Sequence, residues 1–206
     1  MHWILVLVVL LSGTDASAGE VYTAVVTHQS GSYTVEVDAL IEAPEFAVRA
    51  LLTDYGHLER VHPAVQFSEI IAHSGPGAYQ VRMVTKACVW FFCRRINQVQ
   101  TMTEGGDGSL TAMTDPAQSD LKHGYARIEV WQVQQGVRML VRSEVEPDFW
   151  IPPVIGPWLI MRRLHSEALA TVGNLERLAN AGILQHNAAM QRRVTTGNDA
   201  AHADNR

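Results

Sequence analysis

The sequence predicts an α+β domain in which one long helix packs on a curved antiparallel sheet. Three observations carry this expectation. Seven short segments pair apolar alternation with Gly-rich or polar turns between them. Two short helical segments follow the first of these strands and none of the others. The last apolar segment opens on Gly156-Pro157 and repeats large residues at steps of three and four.

Tyr33–Ile41 sets Val35, Val37, Ala39 and Ile41 against Thr34, Glu36 and Asp38, the pattern of a strand with one buried face. Ala43-Pro44-Glu45 then opens a helix, with proline in its first turn and an acid close behind. That helix carries Phe46, Val48, Leu51 and Leu52 and ends near Asp54-Tyr55-Gly56. A second short helix over His57–His62 stops at Pro63. Phe67–Ala72 leads to the turn Ser74-Gly75-Pro76-Gly77. Tyr79–Ala87 alternates Tyr79, Val81, Met83 and Thr85 with Gln80, Arg82 and Lys86. Arg94–Thr103, Ser109–Thr114, Tyr125–Val133 and Val137–Val145 complete the strands, with Gln135-Gly136 turning between the last two. Short turns between successive strands make the sheet a meander.

In the closing helix Gly156 takes an N-cap position, Pro157 the first helical position, and Gly182 lies just beyond the end. Trp158, Met161, Ala168, Val172, Leu175 and Ala179 form its apolar stripe, with Arg162, Arg163, Glu167 and Arg177 on other faces. A helix of about 25 residues spans roughly 37 Å, enough to cross a small sheet.

The two ends differ from this middle. Residues 1–18 (MHWILVLVVLLSGTDASA) have the short apolar run and the Ala-Ser-Ala site of a secretory signal peptide, although no Lys or Arg precedes the run. The expected product is an exported protein, periplasmic or secreted, with one domain over residues 19–184. Residues 185–206 hold few large apolar side chains and are expected to stay disordered. The 206 residues suit one domain with a sizeable core, and the formal net charge of −5 argues against a nucleic-acid partner. No run of about 18 apolar residues predicts a transmembrane helix.

Two stretches carry a resemblance. IEAPEFAVRALLTDYGHLERVHPAV, with Ala43, Pro44, Val48, Leu52, Asp54 and Tyr55, is similar to the opening of the START-like (SRPBCC) superfamily. EVEPDFWIPPVIGPWLIMRRLHSEALATVGNLERLA resembles the strand-to-long-helix ending of the same superfamily, in particular its coenzyme-Q-binding and polyketide cyclase/dehydrase group. The likeness spans about Tyr33–Ala181, most of the chain. It implies a helix-grip fold, with a curved seven-stranded antiparallel sheet wrapped around the C-terminal helix and an apolar cavity between them. It also implies binding of a hydrophobic small molecule (lipid, quinone or isoprenoid) or, in a minority of members, polyketide cyclisation.

Under that fold the candidate ligand-binding residues are Val37, Tyr79, Val81, Met83, Tyr125, Met139 and Val141 from the sheet. Phe149 and Trp150 join them from the loop before the helix, and Trp158, Met161 and His165 from the helix itself. The same residues suit a plain core, since periodicity gives the face and not the void. His165 could orient a polar head group or act as acid or base, or simply sit hydrogen-bonded in the core. Cys88 and Cys93 bracket Val-Trp-Phe-Phe at a hairpin tip. They form either a disulfide in an oxidising compartment or two packed thiols. Trp90, Phe91 and Phe92, flanked by Lys86, Arg94 and Arg95, suit transient contact with a membrane or a protein partner. No GxSxG, Walker or GxGxxG pattern is present, so no catalytic residue, metal or cofactor is assigned. Three functions remain open: an exported carrier of a hydrophobic molecule, a cyclase-like enzyme using the same cavity, and an envelope interaction module.

Overall fold

The computed structural model describes the backbone of residues 20–89, 92–151 and 156–203, with side chains throughout except at Val89, Phe92 and 186–203. The signal segment expected over residues 1–18 lies outside these. In chain order the elements are β1 (Val21–Gln29), β2 (Ser32–Ile41), α1 (Glu45–Leu52), β3 (Val65–Gly75), β4 (Ala78–Val89), β5 (Phe92–Glu104), β6 (Leu110–Thr114), β7 (Leu121–Val133), β8 (Gly136–Pro147) and α2 (Gly156–Ala203). All eight strands join one antiparallel sheet in the order β1-β2-β8-β7-β6-β5-β4-β3. The class is α+β and the topology is that of a helix-grip sheet.

The sheet has one strand more than the seven expected. β1 is a solvent-facing edge strand, with Tyr22 and Val25 exposed, so its residues show no clean apolar alternation. Its turn into β2 uses Ser30 at φ 52° and Gly31 at φ 92°. Positive φ at both central residues is the requirement of the type I′ hairpin turn, which matches the twist of the strands it joins.

After β2 the chain crosses to the opposite edge through α1 and a single 3-10 turn at Leu58–Arg60, shorter than the second helix expected over His57–His62. Pro44 stands at the N-cap of α1 rather than inside its first turn. Arg49 secures α1 to the sheet. Its Nε bonds Glu45 at 2.7 Å, while its amino groups donate to the carbonyls of Gly108 (2.6 Å) and Val130 (2.9 Å). The meander from β3 to β8 then closes back on β2, with Val37 opposite Val141 and Ala39 opposite Met139.

The principal core lies where α2 meets α1 and the β2/β8 pair. Val35, Val37, Ala39 and Ile41 of β2 share one buried cluster with Val48, Val137, Met139, Val172, Leu175 and Ala179. Burying each full-sized aliphatic side chain there contributes roughly 1.5–3 kcal/mol. The outward residues of β2 pair across strands instead, Asp38 with Arg138 and Glu36 with Arg142.

Gly182 does not end α2. It lacks the left-handed conformation of a C-cap glycine, and the backbone stays helical to Ala203, including most of the stretch expected to be disordered. One glycine costs a helix interior about 1 kcal/mol against alanine, and the alanines, glutamines, methionine and arginines that follow favour helix.

Candidate functional site

Between the inner face of the sheet and the first half of α2 lies a cavity of about 790 Å³. That is within the range of small-molecule sites. Val35 and Val37 of β2, Met83 of β4, and Met139 and Val141 of β8 form its sheet side. Leu159, Ile160, Leu164 and Ala168 form the helix side, and Leu58 and Val61 close it from the connection before β3. Methionine suits such a wall because its unbranched thioether adapts to more than one ligand shape.

Polar groups interrupt this wall in a few places. Arg163 donates from Nε to Glu167 Oε1 at 2.5 Å, one helical turn apart. Glu167 is buried, and burial raises its pKa above the ordinary carboxylate value, partly opposed by the Arg163 charge. His62 also lines the cavity, so its residual accessibility includes that internal space. Burial, and then the nearby Arg163 charge, push its pKa down to about 4. Its Nδ1 accepts a hydrogen bond from the Ala64 N–H at 3.2 Å, so the neutral ring carries its proton on Nε2. The Tyr55 hydroxyl is buried without a hydrogen-bond partner among the described residues. Its pKa is raised by burial and by the charge of Glu104, which stands near but not in bonding geometry. Burial likewise raises that of Tyr33.

At one end the β4–β5 hairpin and the segment before α2 frame the cavity. Lys86, Ala87 and Arg94 line it from the hairpin, and Phe149, Trp150 and Ile151 from the segment after β8. The Arg94 guanidinium stacks 4.3 Å from the Phe149 ring centre, holding the two together. Cys88 and Cys93 face each other across the strands and form a disulfide, with Cα atoms 4.0 Å apart.

No family model and no curated protein sequence matches the chain. Solved structures do. The aromatase/cyclase Zhui from Streptomyces sp. R1128 superposes with a TM-score of 0.55 at 16% identity, over 71% of this chain and 94% of its own. A START superfamily protein from Mycobacterium smegmatis gives 0.53 at 18% identity, over 71% and 97%. A STAR-related lipid transfer protein from Xanthomonas axonopodis gives 0.52 at 14% identity, over 77% and 99%. The chain has the START-like fold.

The START-like cavity collects seven of the twelve residues expected at it: Val37, Met83, Tyr125, Met139, Val141, Phe149 and Trp150. Tyr79 and Val81 do not reach it. They pack with Tyr55, Val65 and Met102 in a second cluster, where the Tyr55 and Tyr79 rings lie 5.3 Å apart. Tyr55, carried in by the connection after α1, fills the space that the pattern of β4 alone leaves open. Trp158, Met161 and His165 also stand away from it. Trp158 is 56% exposed, with Arg162 over its ring, His165 is exposed and Met161 is half-buried outside the lining. The buried stripe of α2, traced back from Leu175 through Ala168, reaches Leu164 and Ile160 rather than Met161 and Trp158.

That helical phase also brings in Arg163 and Glu167, which sequence reasoning placed on an outer face because of their charge. Their spacing to Ala168 and Val172 is the signal that could have found them. His62 appears in the sequence only as the end of the short helix before Pro63, while its neighbours Asp54 and His57 form an exposed pair, Nδ1 to Oδ1 at 2.8 Å, joined by Arg60. At the hairpin the strands pair up to Val89 and Phe92, so the tip is two residues instead of the four expected. Trp90 and Phe91, and the Phe92 side chain, lie outside the described residues.

Proposed function

We propose that this START-like protein is an exported carrier of a hydrophobic small molecule, of the lipid, quinone or isoprenoid class, held between the sheet and α2. The observation that carries the reading is the cavity itself: about 790 Å³, walled mostly by Val, Leu, Ile, Ala and Met, with a few charged groups set into it, the Arg163–Glu167 pair among them. Apolar burial of about 25 cal/mol per Å² drives binding there, while the polar groups fix orientation. The Cys88–Cys93 disulfide suits an oxidising compartment, which supports export. Entry runs between the β4–β5 hairpin and the segment carrying Phe149 and Trp150, with transient membrane contact through Trp90, Phe91 and Phe92. The test is organic-solvent extraction of the purified protein followed by mass spectrometry. One recurrent apolar compound at near-stoichiometric amount is expected, and less of it in a Leu164→Trp variant whose indole projects into the cavity. Protein that is empty in every preparation, and that takes up no apolar probe, would sink the reading.

A second reading, cyclase-like chemistry in the same cavity, has one observation in its favour: Arg163, Glu167 and His62 all line it. A neutral imidazole and a carboxyl of raised pKa facing one cavity can move a proton between ligand atoms. Turnover of a poly-β-carbonyl compound, abolished by His62→Asn and Glu167→Gln together, supports this reading. Turnover unchanged in that double variant rejects it.

A further inference from the structure

We infer that the cavity is built for an amphiphile with an anionic end, of the class of long-chain monocarboxylates, held tail inward with its carboxylate between Arg163 and Arg94. This rests on the ligand-binding reading above and names the ligand class. Its ground is the distribution of charge. The whole chain is acidic, with a formal net charge of −5. The cavity wall is the reverse. Its inward cations are Arg94 and Arg163, set against the single carboxyl of Glu167.

Only part of this positive charge is answered within the protein. Glu167 engages Nε of Arg163, which leaves the terminal amino groups of that guanidinium facing no partner among the described residues. Arg94 meets the ring of Phe149, not a carboxylate, and is exposed at the frame. Both guanidinium groups therefore keep donors free, and a ligand carboxylate would accept charge-assisted hydrogen bonds from them.

Placement agrees with charge. Arg94 pairs with Ala87 on the inward face of the hairpin and lies over Phe149 where the cavity is framed by loops, while Lys86, one residue out of phase, turns to the opposite face. Arg163 follows seven residues after Gly156, roughly 10 Å along α2. Beyond it the wall turns to Ala168, Val172 and Leu175, facing Val37 and Met139. A head group near the frame and a chain running toward Leu175 would satisfy both regions. A neutral alcohol or ester would fill the apolar part equally well and leave the cations as they are.

The test compares dodecanoate with dodecanol, below their aggregation limits, by calorimetric titration of the delipidated full chain at neutral pH. Dodecanoate is expected to bind about tenfold tighter or more, with the margin shrinking as salt is raised. Arg94→Gln combined with Arg163→Gln should bring the ratio close to unity. Glu167→Gln should move it the other way, because it frees the guanidinium of Arg163 for the ligand. Thermal unfolding of each variant verifies the fold. Equal binding of the two compounds by the parent protein, or a ratio that survives the double variant, overturns the charge inference and leaves the cavity reading standing. Failure of both compounds to bind overturns the two together.

Discussion

From Val172 to Ala179 α2 closes on the sheet. Val172, Leu175 and Ala179 are buried in one cluster with Ala39, Ile41, Val48 and Val137, and Val172 and Leu175 form the inner end of the cavity where it narrows into this core. Nearer its start, from Leu159 to Ala168, the same helix stands off. Leu159, Ile160, Leu164 and Ala168 are only partly buried, and they face Val37, Met83 and Val141 across the cavity. One helix on one sheet therefore does two jobs. The closed end supplies stability, since dense apolar contact is what folding gains most from. The open end forgoes part of that contact and keeps the apolar surface for a ligand.

The largest effects should come from the closed end. Gly136 enters β8 at φ 146°, and a Cβ there would stand 2.2 Å from the Ile41 carbonyl oxygen, which is backbone and cannot turn aside. Gly136→Ala is expected to cost about 3 kcal/mol or more, read from the denaturant midpoint. Leu175→Ala should cost about 3 kcal/mol, because a fully buried side chain leaves a void that its neighbours cannot close. Leu164→Ala, beside space that is already empty, should cost about 1 kcal/mol or less and act mainly on ligand affinity. Equal losses for Leu164→Ala and Leu175→Ala would break the distinction between the two ends.

A smaller effect reports on the open end through pH. The folded-state pKa of His62 is lowered to about 4 from an ordinary value of 6.5. Between those values the unfolded ring binds a proton that the folded ring refuses. The stability difference is therefore full above about pH 6.5 and is lost as pH falls toward about 4. In His62→Asn, whose Oδ1 can still accept from Ala64, this slope disappears. The gap between parent and variant should narrow by about 1–2 kcal/mol across the window, screening included. Glu167 acts with the opposite sign, its raised pKa favouring the folded state as acid is added, but it is common to both proteins and cancels in the comparison. A parallel pH profile for the two proteins would place His62 in open solvent.

How far the sequence reveals these two ends follows from the same physics. The alternation of Val35, Val37, Ala39 and Ile41 and the steps from Ala168 to Ala179 were legible, since each face is buried along its whole length. β1 was not, because an edge strand that only partly buries Val21, Ala24 and Val26 and leaves Tyr22 and Val25 in solvent alternates weakly. The phase of early α2 was misjudged for a related reason. Large aromatic and sulfur side chains at Trp158 and Met161 suggest an interior, yet at the open end apolar bulk can remain at the surface. There the inward positions include Arg163 and Glu167, whose burial depends on each other and on the cavity. His62 could not be placed from its neighbours, since what surrounds it comes from about a hundred residues later in α2. The cavity itself has no sequence signal: it is a distance between surfaces, and periodicity carries no distances.

The smallest expected effect concerns the hairpin that frames the open end. Cys88 and Cys93 enclose few residues, and β4 and β5 already hold their ends together, so the disulfide removes little freedom from the unfolded chain. Replacing both cysteines with serine should lower global stability by about 1 kcal/mol, below the usual range for a native disulfide. Its effect on the ligand should be larger. Lys86, Ala87 and Arg94 line the cavity within two residues of the bridge, and Arg94 ties the hairpin to Phe149. Loosening that end lets the frame open more often, so ligand dissociation should speed up severalfold while the unfolding midpoint barely moves. Stopped-flow displacement and urea titration of the same preparation measure the two quantities together. A loss of about 3 kcal/mol with unchanged dissociation would mean that the hairpin belongs to the closed, stabilising part of the molecule, and the division drawn along α2 would have to be moved.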